Sequence, residues 1–314
     1  MALISQPIFL VGAHRSGTTM LRLMLDGHPQ LSFKFESEYI THEITDQGTL
    51  PELSHYYEFL KYDRIFQSNQ LTINPKLNYQ ELVNDFLSQT QAKSGKALVG
   101  TTVHVKFYQL AKLWPQAKFI YLYRDPRDVA SSCIEMGWAG NVWFGVEGWL
   151  KAESYWQKVT ESIAPEQCFT LSYEALVTDP VQKLTEICEF IGLDYDPLML
   201  SYPDRTTYSL PDVKFLQRWR KKLSEHNIQL VEARTADALV TRGYTLSGLP
   251  IITVPPTELT QLQKENQQEK LKFRIKRYGG FLVLMDWFAR RLRIKPLQNW
   301  VKPRWNAISK QYLK

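Results

Sequence analysis

The segment Gly12–Thr19, GAHRSGTT, constrains the fold of this chain more than any other. It follows a short apolar run, Pro7–Gly12, that is typical of a buried parallel strand. An apolar pattern at helical spacing then runs over Thr18–His28. A glycine-rich loop between a strand and a helix points backbone N–H groups at one place, and the helix start adds positive potential there. The sequence therefore predicts a loop that binds the phosphate-like end of a nucleotide.

The loop departs from the Walker A motif at the position of its lysine. Gly12 and Gly17 have the spacing of the first half of that motif, but Thr18 stands where the lysine would be. This argues against an ordinary ATPase, GTPase or kinase. Arg15 instead supplies a forked set of donors that suits a tetrahedral oxyanion. The predicted donor-binding residues of the loop are Arg15, Ser16, Gly17, Thr18 and Thr19.

Strand and helix patterns alternate along the chain. Strands are predicted at Pro7–Gly12, Leu31–Phe35, Lys96–Gly100, Lys118–Tyr123 and Gln167–Leu171. Helices are predicted at Thr18–His28, Tyr79–Thr90, His104–Trp114, from Pro126 onward, and at Glu147–Thr160, Pro180–Ile191, Val213–Lys222 and Ser224–Val240. This alternation predicts an α/β fold, a P-loop-like three-layer sandwich with a central parallel sheet flanked by helices.

A proline-containing break after residue 249 separates a nucleotide-binding domain, residues 1–249, from a basic helical tail, residues 250–314. The tail holds 14 Lys+Arg against 4 Asp+Glu, whereas the domain holds 24 against 28. The basic character of the chain, whose net charge is +6, therefore belongs to the tail. Three cysteines without a CxxC pair predict neither a disulfide framework nor a metal site. Since neither a signal peptide nor a membrane span is recognisable, we expect a cytoplasmic protein.

A second cationic anchor is predicted where the strand Lys118–Tyr123 ends. Arg124 closes that strand, and Ser132 lies eight residues later in the following helix. Ligands of doubly wound sheets bind outside the carboxyl ends of the strands, so Arg124 and Ser132 are candidates for a second phosphate. Taken alone, a surface ion pair of Arg124 with Asp125 or Asp128 is the better explanation.

Together the two segments resemble the sulfotransferase family that uses 3′-phosphoadenosine-5′-phosphosulfate (PAPS). GAHRSGTT resembles its 5′-phosphosulfate loop, and YLYRDPRDVASS resembles its 3′-phosphate motif. LSYEALVTDP is similar to a third family segment, in which the tyrosine, here Tyr173, lies by the adenine. The resemblance covers about residues 5–246 and is greatest to the branch of tyrosylprotein and Golgi-type carbohydrate sulfotransferases.

This resemblance implies transfer of a sulfuryl group from PAPS, without a metal, to a hydroxyl or amine. Small molecules, carbohydrates, lipids and peptides all remain open as acceptors. Glu36 lies 21 residues after Arg15, the offset of the glutamate base in the tyrosylprotein-type branch. Glu38 would share its strand face and stays an alternative. Cytosolic members use a histidine from a K-T-H segment, and the matching stretch G-T-T-V-H offers His104 as the second choice.

The chain departs from the family where a lysine commonly supports the leaving group. Gly100 or Thr101 falls at that position, and Lys96 and Lys106 only flank it. Arg15 would then carry the charge together with the loop hydroxyls. A basic segment late in the chain helps cover the 3′-phosphate in the family. We expect at most two of its cations to do so here, with Arg220 and Lys221 as the candidates.

The tail segment 270–295 combines basic, aromatic and apolar residues. Phe281, Leu284, Met285, Phe288 and Leu292 form one helical stripe. Peripheral membrane contact and packing of this stripe on protein explain the pattern equally well. No motif supports binding of nucleic acid. The alternative functions are an atypical P-loop kinase and a membrane-docked nucleotide-binding protein without turnover. The oligomeric state is not readable from the sequence.

Overall fold

The computed structural model describes residues 4–310, which form two compact units. The first unit contains the chain up to Arg124 together with Gly148–Leu216. The second contains Asp125–Glu147 and the chain from Gln217 onward. The predicted tail, residues 250–314, thus belongs to the same compact unit as Asp125–Glu147 and residues 217–249. The division into a domain and a tail at residue 249 stays a prediction.

The first unit is built on a five-stranded sheet in the order β2-β3-β1-β4-β5. Its strands are β1 (Ile8–Val11), β2 (Leu31–Ser32), β3 (Leu98–Val103), β4 (Lys118–Tyr123) and β5 (Cys168–Ser172). Every neighbouring pair is parallel. In this register Ile8 lies opposite Gly100 on one side and Lys118 on the other.

Helices make up most of the remaining regular structure. In chain order they are α1 (Thr18–Gly27), α2 (Leu53–Tyr62), α3 (Arg64–Asn69), α4 (Tyr79–Ser94), α5 (Leu110–Leu113), α6 (Pro126–Glu135), α7 (Val142–Gly145), α8 (Glu147–Thr160), α9 (Tyr173–Thr178), α10 (Pro180–Ile191), α11 (Trp219–Lys222), α12 (Glu225–Thr241), α13 (Pro256–Tyr278), α14 (Gly280–Arg291) and α15 (Lys295–Lys310). Between residues 4 and 310, none of them combines the length and the apolar character needed to cross a bilayer.

Alternate residues of the strands pack on opposite faces of the sheet. Ile8 and Leu10 belong to a buried core shared with residues of α1 and α10. Phe9, which stands between these two residues in the sequence, is also fully buried. The Tyr121 ring stacks on the Trp156 ring of α8, with ring centroids 4.7 Å apart. Both faces are therefore covered, as a parallel sheet requires. The predicted fold class is confirmed.

The predicted helix over His104–Trp114 is wrong, because only α5, a four-residue helix, is α-helical there. The Glu38 carboxylate accepts hydrogen bonds from the N–H groups of His104 and Val105, at 2.9 and 3.0 Å. Lys106 then adopts a left-handed backbone with φ 47°. The chain therefore turns after β3 before a helix can begin.

Two further predicted elements are interrupted. The helix over Val213–Lys222 is wrong, because Gln217 has a left-handed φ of 48° that separates a 3-10 turn from α11. The strand over Leu31–Phe35 is shorter than predicted, since only its first two residues pair as β2. The chain rejoins β3 at a single bridge between Glu36 and Thr102.

A substitution at Gly100 tests how tightly side chains pack on the sheet at this position. A Cβ at this position would lie 2.0 Å from the Phe33 ring and 2.7 Å from the Ile8 carbonyl oxygen. We expect Gly100→Ala to lower the free energy of unfolding by about 3 kcal/mol, since either the ring or the strand must move. Urea unfolding measures the loss. The matched control Gly148→Ala, whose Cβ would meet nothing within 4 Å, should unfold at the wild-type midpoint or slightly above it. Equal midpoints for the two variants would contradict this packing.

Candidate active site

The carboxyl ends of the parallel strands bring the site residues of the first unit to one edge of the sheet. Gly12 follows β1, His104 follows β3, Arg124 follows β4, and Tyr173 follows β5. Ligands of open α/β sheets bind outside this edge. Residues that are far apart in the sequence can therefore contact one ligand here.

The loop after β1 has backbone conformations that restrict which residues fit. Gly12 has φ 154°, and a Cβ there would lie 2.2 Å from the Leu122 carbonyl oxygen. Gly17 has φ 92°, and its Cβ would lie 2.3 Å from the Tyr173 ring. Arg15 adopts φ 72° without being glycine. Such a conformation costs about 1–3 kcal/mol and is concentrated at functional sites.

The start of α1 offers unused hydrogen-bond donors. The helix has no capping side chain and no acidic residue in its first turn. Its first N–H groups therefore lack partners within the helix, and the helix dipole is not offset by a nearby carboxylate. Ser16 is fully buried, and its Oγ has no hydrogen-bond partner within residues 4–310. Amides and a hydroxyl of this kind fit a bound tetrahedral anion.

Arg124 lies beside this loop. Its Nη1 is 3.5 Å from the carbonyl oxygen of Arg15, and its Nη2 donates to the carbonyl of Phe215 at 2.9 Å. The guanidinium also stacks on the Tyr173 ring, 4.4 Å from its centroid. The structure thus brings Arg15, Arg124 and Tyr173 together within the first unit.

Three predicted donor-binding residues belong to the second unit. Ser132 is half-buried on α6, and Arg220 and Lys221 are exposed on α11. The Nε of Arg220 donates to the Gln217 side chain at 3.0 Å. Binding of the donor by Ser132, Arg220 and Lys221 stays a prediction.

A buried chain of hydrogen bonds connects the loop to the end of β3. His104 Nδ1 lies 2.6 Å from Glu38 Oε1, and His104 Nε2 lies 2.9 Å from Thr18 Oγ1. His14 stacks on His104 with ring centroids 4.0 Å apart. Sequence reasoning missed His14 and considered Glu38 only as a base. The repeated glutamate of F-E-S-E was the available signal.

Glu38 sets the protonation of His104. Burial alone would lower the pKa of His104, but the hydrogen bond and charge of Glu38, with a contribution from Glu36, raise it above 6.5. Burial would likewise raise the pKa of Glu38, but the same hydrogen bond and the charges of His104 and His14 hold it below 4.5. The pair is therefore an imidazolium and a carboxylate at pH 6.5.

His14 behaves differently from His104. Although 45% of its side chain is accessible, loss of hydration against the protein and the neighbouring His104 lower the pKa of His14 to about 3. His14, Glu38 and His104 each present a ligand atom within 4.8 Å of the others, which is close enough for a metal ion. An ion would have to displace the hydrogen bonds that Glu38 already accepts from His104 and Val105. We assign no metal to this cluster.

Glu36 differs from Glu38 in its surroundings. Its backbone pairs with Thr102 at the end of β3, and its carbonyl accepts a hydrogen bond from Asn69 Nδ2 at 3.4 Å. The side chain is half-buried, and across the described part of the chain its carboxylate makes no hydrogen bond or ion pair. It can therefore accept a proton without breaking an existing contact.

Lys96 and Lys106, which flank the position of the family lysine, donate hydrogen bonds to backbone carbonyls outside the phosphate loop. Lys96 Nζ donates to the carbonyls of Asp26 and Leu31 at 2.6 and 3.1 Å. Lys106 Nζ donates to the carbonyl of Ile44 at 2.6 Å. The Phe33 ring fills the space that a side chain on residue 100 would need. The side chain that contacts the loop from this side is His104, whose Nε2 lies 2.9 Å from Thr18 Oγ1.

A parallel sheet whose carboxyl edge presents a helix-starting loop, the Ser16 hydroxyl and Arg124 has the features of a nucleotide-binding protein. The chain belongs to the sulfotransferase family, whose family model matches residues 7–197. The predicted membership of the sulfotransferase family is thereby confirmed.

Curated relatives agree with this family. Protein-tyrosine sulfotransferase 2 of Gallus gallus is 25% identical over 212 residues, covering 63% of this chain and 54% of the relative. Protein-tyrosine sulfotransferase 1 of Danio rerio is 26% identical over 215 residues, covering 63% and 56%. The match thus spans about half the length of these relatives.

Two solved sulfotransferase domains share the fold. The domain of the Synechococcus PCC 7002 olefin synthase has a TM-score of 0.58 at 22% identity, covering 79% of this chain and 98% of that domain. The domain from the curacin biosynthetic pathway has a TM-score of 0.53 at 17% identity, covering 78% and 100%.

The Glu38–His104 pair predicts a pH-dependent loss of stability in Glu38→Gln. Because the folded pKa of His104 is raised above 6.5, the pair stabilises the wild type fully below that pH and less as pH rises through the folded pKa. The depressed pKa of Glu38 removes the same contribution as pH falls below 4.5. At about pH 6 we expect the variant to lose about 3 kcal/mol in urea unfolding. The loss should shrink at alkaline pH.

Glu43→Gln is the matched control, because Glu43 binds two exposed histidines, His42 and His55, at 2.7 and 2.9 Å. It should lose no more than about 1 kcal/mol. A loss in Glu38→Gln no larger than this, or one that grows towards alkaline pH, would exclude the imidazolium–carboxylate form.

Proposed function

We propose that this protein transfers the sulfuryl group of PAPS to the hydroxyl of a tyrosine in a peptide or protein. The observation that carries the proposal is the cluster of Arg15, Arg124 and the unpartnered Ser16 hydroxyl at the carboxyl edge of the sheet. The acceptor is supported by the relatives, which are named protein-tyrosine sulfotransferases.

The loop and Arg124 divide the binding of the donor. The amides at the start of α1, the Ser16 hydroxyl and the Arg15 fork suit the 5′-phosphosulfate. Arg124 supplies charge for the 3′-phosphate, and Tyr173, which stacks on it, offers a ring for the adenine. Such a division explains why two guanidinium-bearing segments lie together at one end of the sheet.

Glu36 is the general base in this proposal. Glu38 already accepts three hydrogen bonds, and His104 already carries the proton that a base must take up. The Glu36 carboxylate removes the proton of the acceptor hydroxyl as the new S–O bond forms. The S–O bond to the 5′-phosphate breaks at the same time, which releases the 3′,5′-bisphosphate and a sulfate ester.

His104 replaces the missing lysine. As an imidazolium it donates from Nε2 to Thr18 Oγ1, 2.9 Å away. This polarises the Thr18 hydroxyl, which becomes a stronger donor towards the leaving phosphate. Arg15 adds the second positive charge. Catalysis then consists of positioning and of stabilising charge that moves onto the leaving group.

The donor assignment predicts selective binding of adenosine 3′,5′-bisphosphate. This compound should raise the Tm of the full chain more than an equal concentration of ATP with Mg²⁺. Arg124→Ala should weaken its affinity about tenfold or more, because a charge-assisted contact is lost. Arg205→Ala, which removes an exposed arginine of the same unit, should leave it unchanged. A larger shift with ATP and Mg²⁺ would point to a kinase.

The acceptor and the base are tested together with radiolabelled PAPS. We expect label on a tyrosine peptide and none on its phenylalanine counterpart. Glu36→Gln should lower kcat by about 10²–10⁴-fold with bisphosphate affinity kept, whereas Glu58→Gln, at an exposed ion pair with Lys61, should match the wild type.

Each departure from these results has a separate meaning. Undiminished turnover in Glu36→Gln would transfer the role of base to Glu38 or His104. Label on a carbohydrate or lipid but not on tyrosine would refute the proposed acceptor. Tight bisphosphate binding with no acceptor labelled would indicate a nucleotide-binding protein without turnover.

A further inference from the structure

Helix α14 in the second unit presents an apolar face to solvent. Phe281, Leu284, Trp287 and Phe288 are 68%, 49%, 51% and 37% accessible, and Leu292 continues the face at 59%. At about 100° per residue these side chains share one side of the helix. A continuous exposed face of large apolar side chains marks a place where something binds.

The opposite side of α14 fixes the rotation of the helix. Asp286 is buried there and accepts hydrogen bonds from Arg274 Nη2 at 2.8 Å and from Arg290 Nε at 2.9 Å. Leu282 and Val283 are buried on the same side. Turning the apolar face inward would expose these residues and break the ion pair that joins Asp286 to Arg274 of α13. The apolar face is therefore held outward.

Exposed basic side chains accompany this face, and the Arg291 guanidinium lies 5.4 Å from the centroid of the Trp287 ring. Residues 270–295 contain nine Lys and Arg, and their single acidic residue is Asp286, which is already paired. Lys276, Arg291, Arg293 and Lys295 are exposed. An apolar face accompanied by exposed cations complements a surface that is apolar inside and anionic at its edge.

We propose that α14 docks on an anionic lipid bilayer, with its apolar face below the headgroups and the neighbouring Lys and Arg at the lipid phosphates. Tryptophan and phenylalanine at the boundary of the acyl chains, flanked by basic side chains, suit a helix lying in the membrane surface. The apolar contacts and the charge act together, and either alone gives only weak binding. A second copy of the chain would bring the same positive charge to the contact, so charge complementarity favours lipid.

Flotation of the full-length chain with lipid vesicles tests the proposal. Vesicles of phosphatidylcholine with about a third phosphatidylserine should carry the wild type upward, and those of phosphatidylcholine alone should carry much less. Added salt should weaken binding. Leu284→Gln combined with Phe288→Gln should lower the apparent affinity about tenfold or more. The control pair Val240→Gln with Ile251→Gln, at 61% and 52% accessible positions of the same unit, should bind as the wild type does.

Circular dichroism verifies that both double variants are folded. Failure of the wild type to bind anionic vesicles, or equal binding by the Leu284→Gln, Phe288→Gln variant, would overturn the proposal. Sedimentation of the wild type as a dimer that this variant converts to a monomer would overturn it as well, because a second copy would then cover the face.

Discussion

The buried hydrogen-bonded pair of Glu38 and His104 is the constraint on which the site depends. Glu38 follows β2, His104 follows β3, and His104 also contacts Thr18 at the start of α1. One carboxylate thus ties together three segments that the sheet brings to the same edge. A buried pair of this kind fixes geometry more reliably than it adds net stability, since desolvation offsets much of its attraction.

The same pair assigns different tasks to similar side chains. Glu38 accepts three hydrogen bonds, and its pKa is held below 4.5, so it orients His104 and favours the protonated form of that histidine. Glu36, two residues earlier, has a carboxylate without such contacts within the described residues. Phe33 occupies the space next to Gly100, which leaves no room there for a lysine side chain, and the proposal gives the role of that cation to His104.

Local patterns predicted a large part of the fold. β4, α8 and α10 have the predicted bounds, because their apolar periodicity and their Pro or Gly boundaries are local properties of the sequence. The phosphate loop was recognisable for the same reason. Its association with Arg124 followed from the rule that parallel strands end at one edge.

The failures came from contacts between distant residues. The turn at His104 depends on a carboxylate 66 residues away, and periodicity carries no information about it. The break at Gln217 depends on a left-handed backbone conformation, which a glutamine in the sequence does not predict. On α14 the apolar stripe was visible in the sequence, but its outward direction depends on the pairing of Asp286 with Arg274 of α13.

A crystal structure with adenosine 3′,5′-bisphosphate tests the central claim most directly. The account predicts the 5′-phosphate within hydrogen-bond distance of the amides at the start of α1 and of the Ser16 hydroxyl, and the 3′-phosphate in contact with Arg124. A nucleotide bound away from this edge of the sheet, or one whose 3′-phosphate does not touch Arg124, would contradict it.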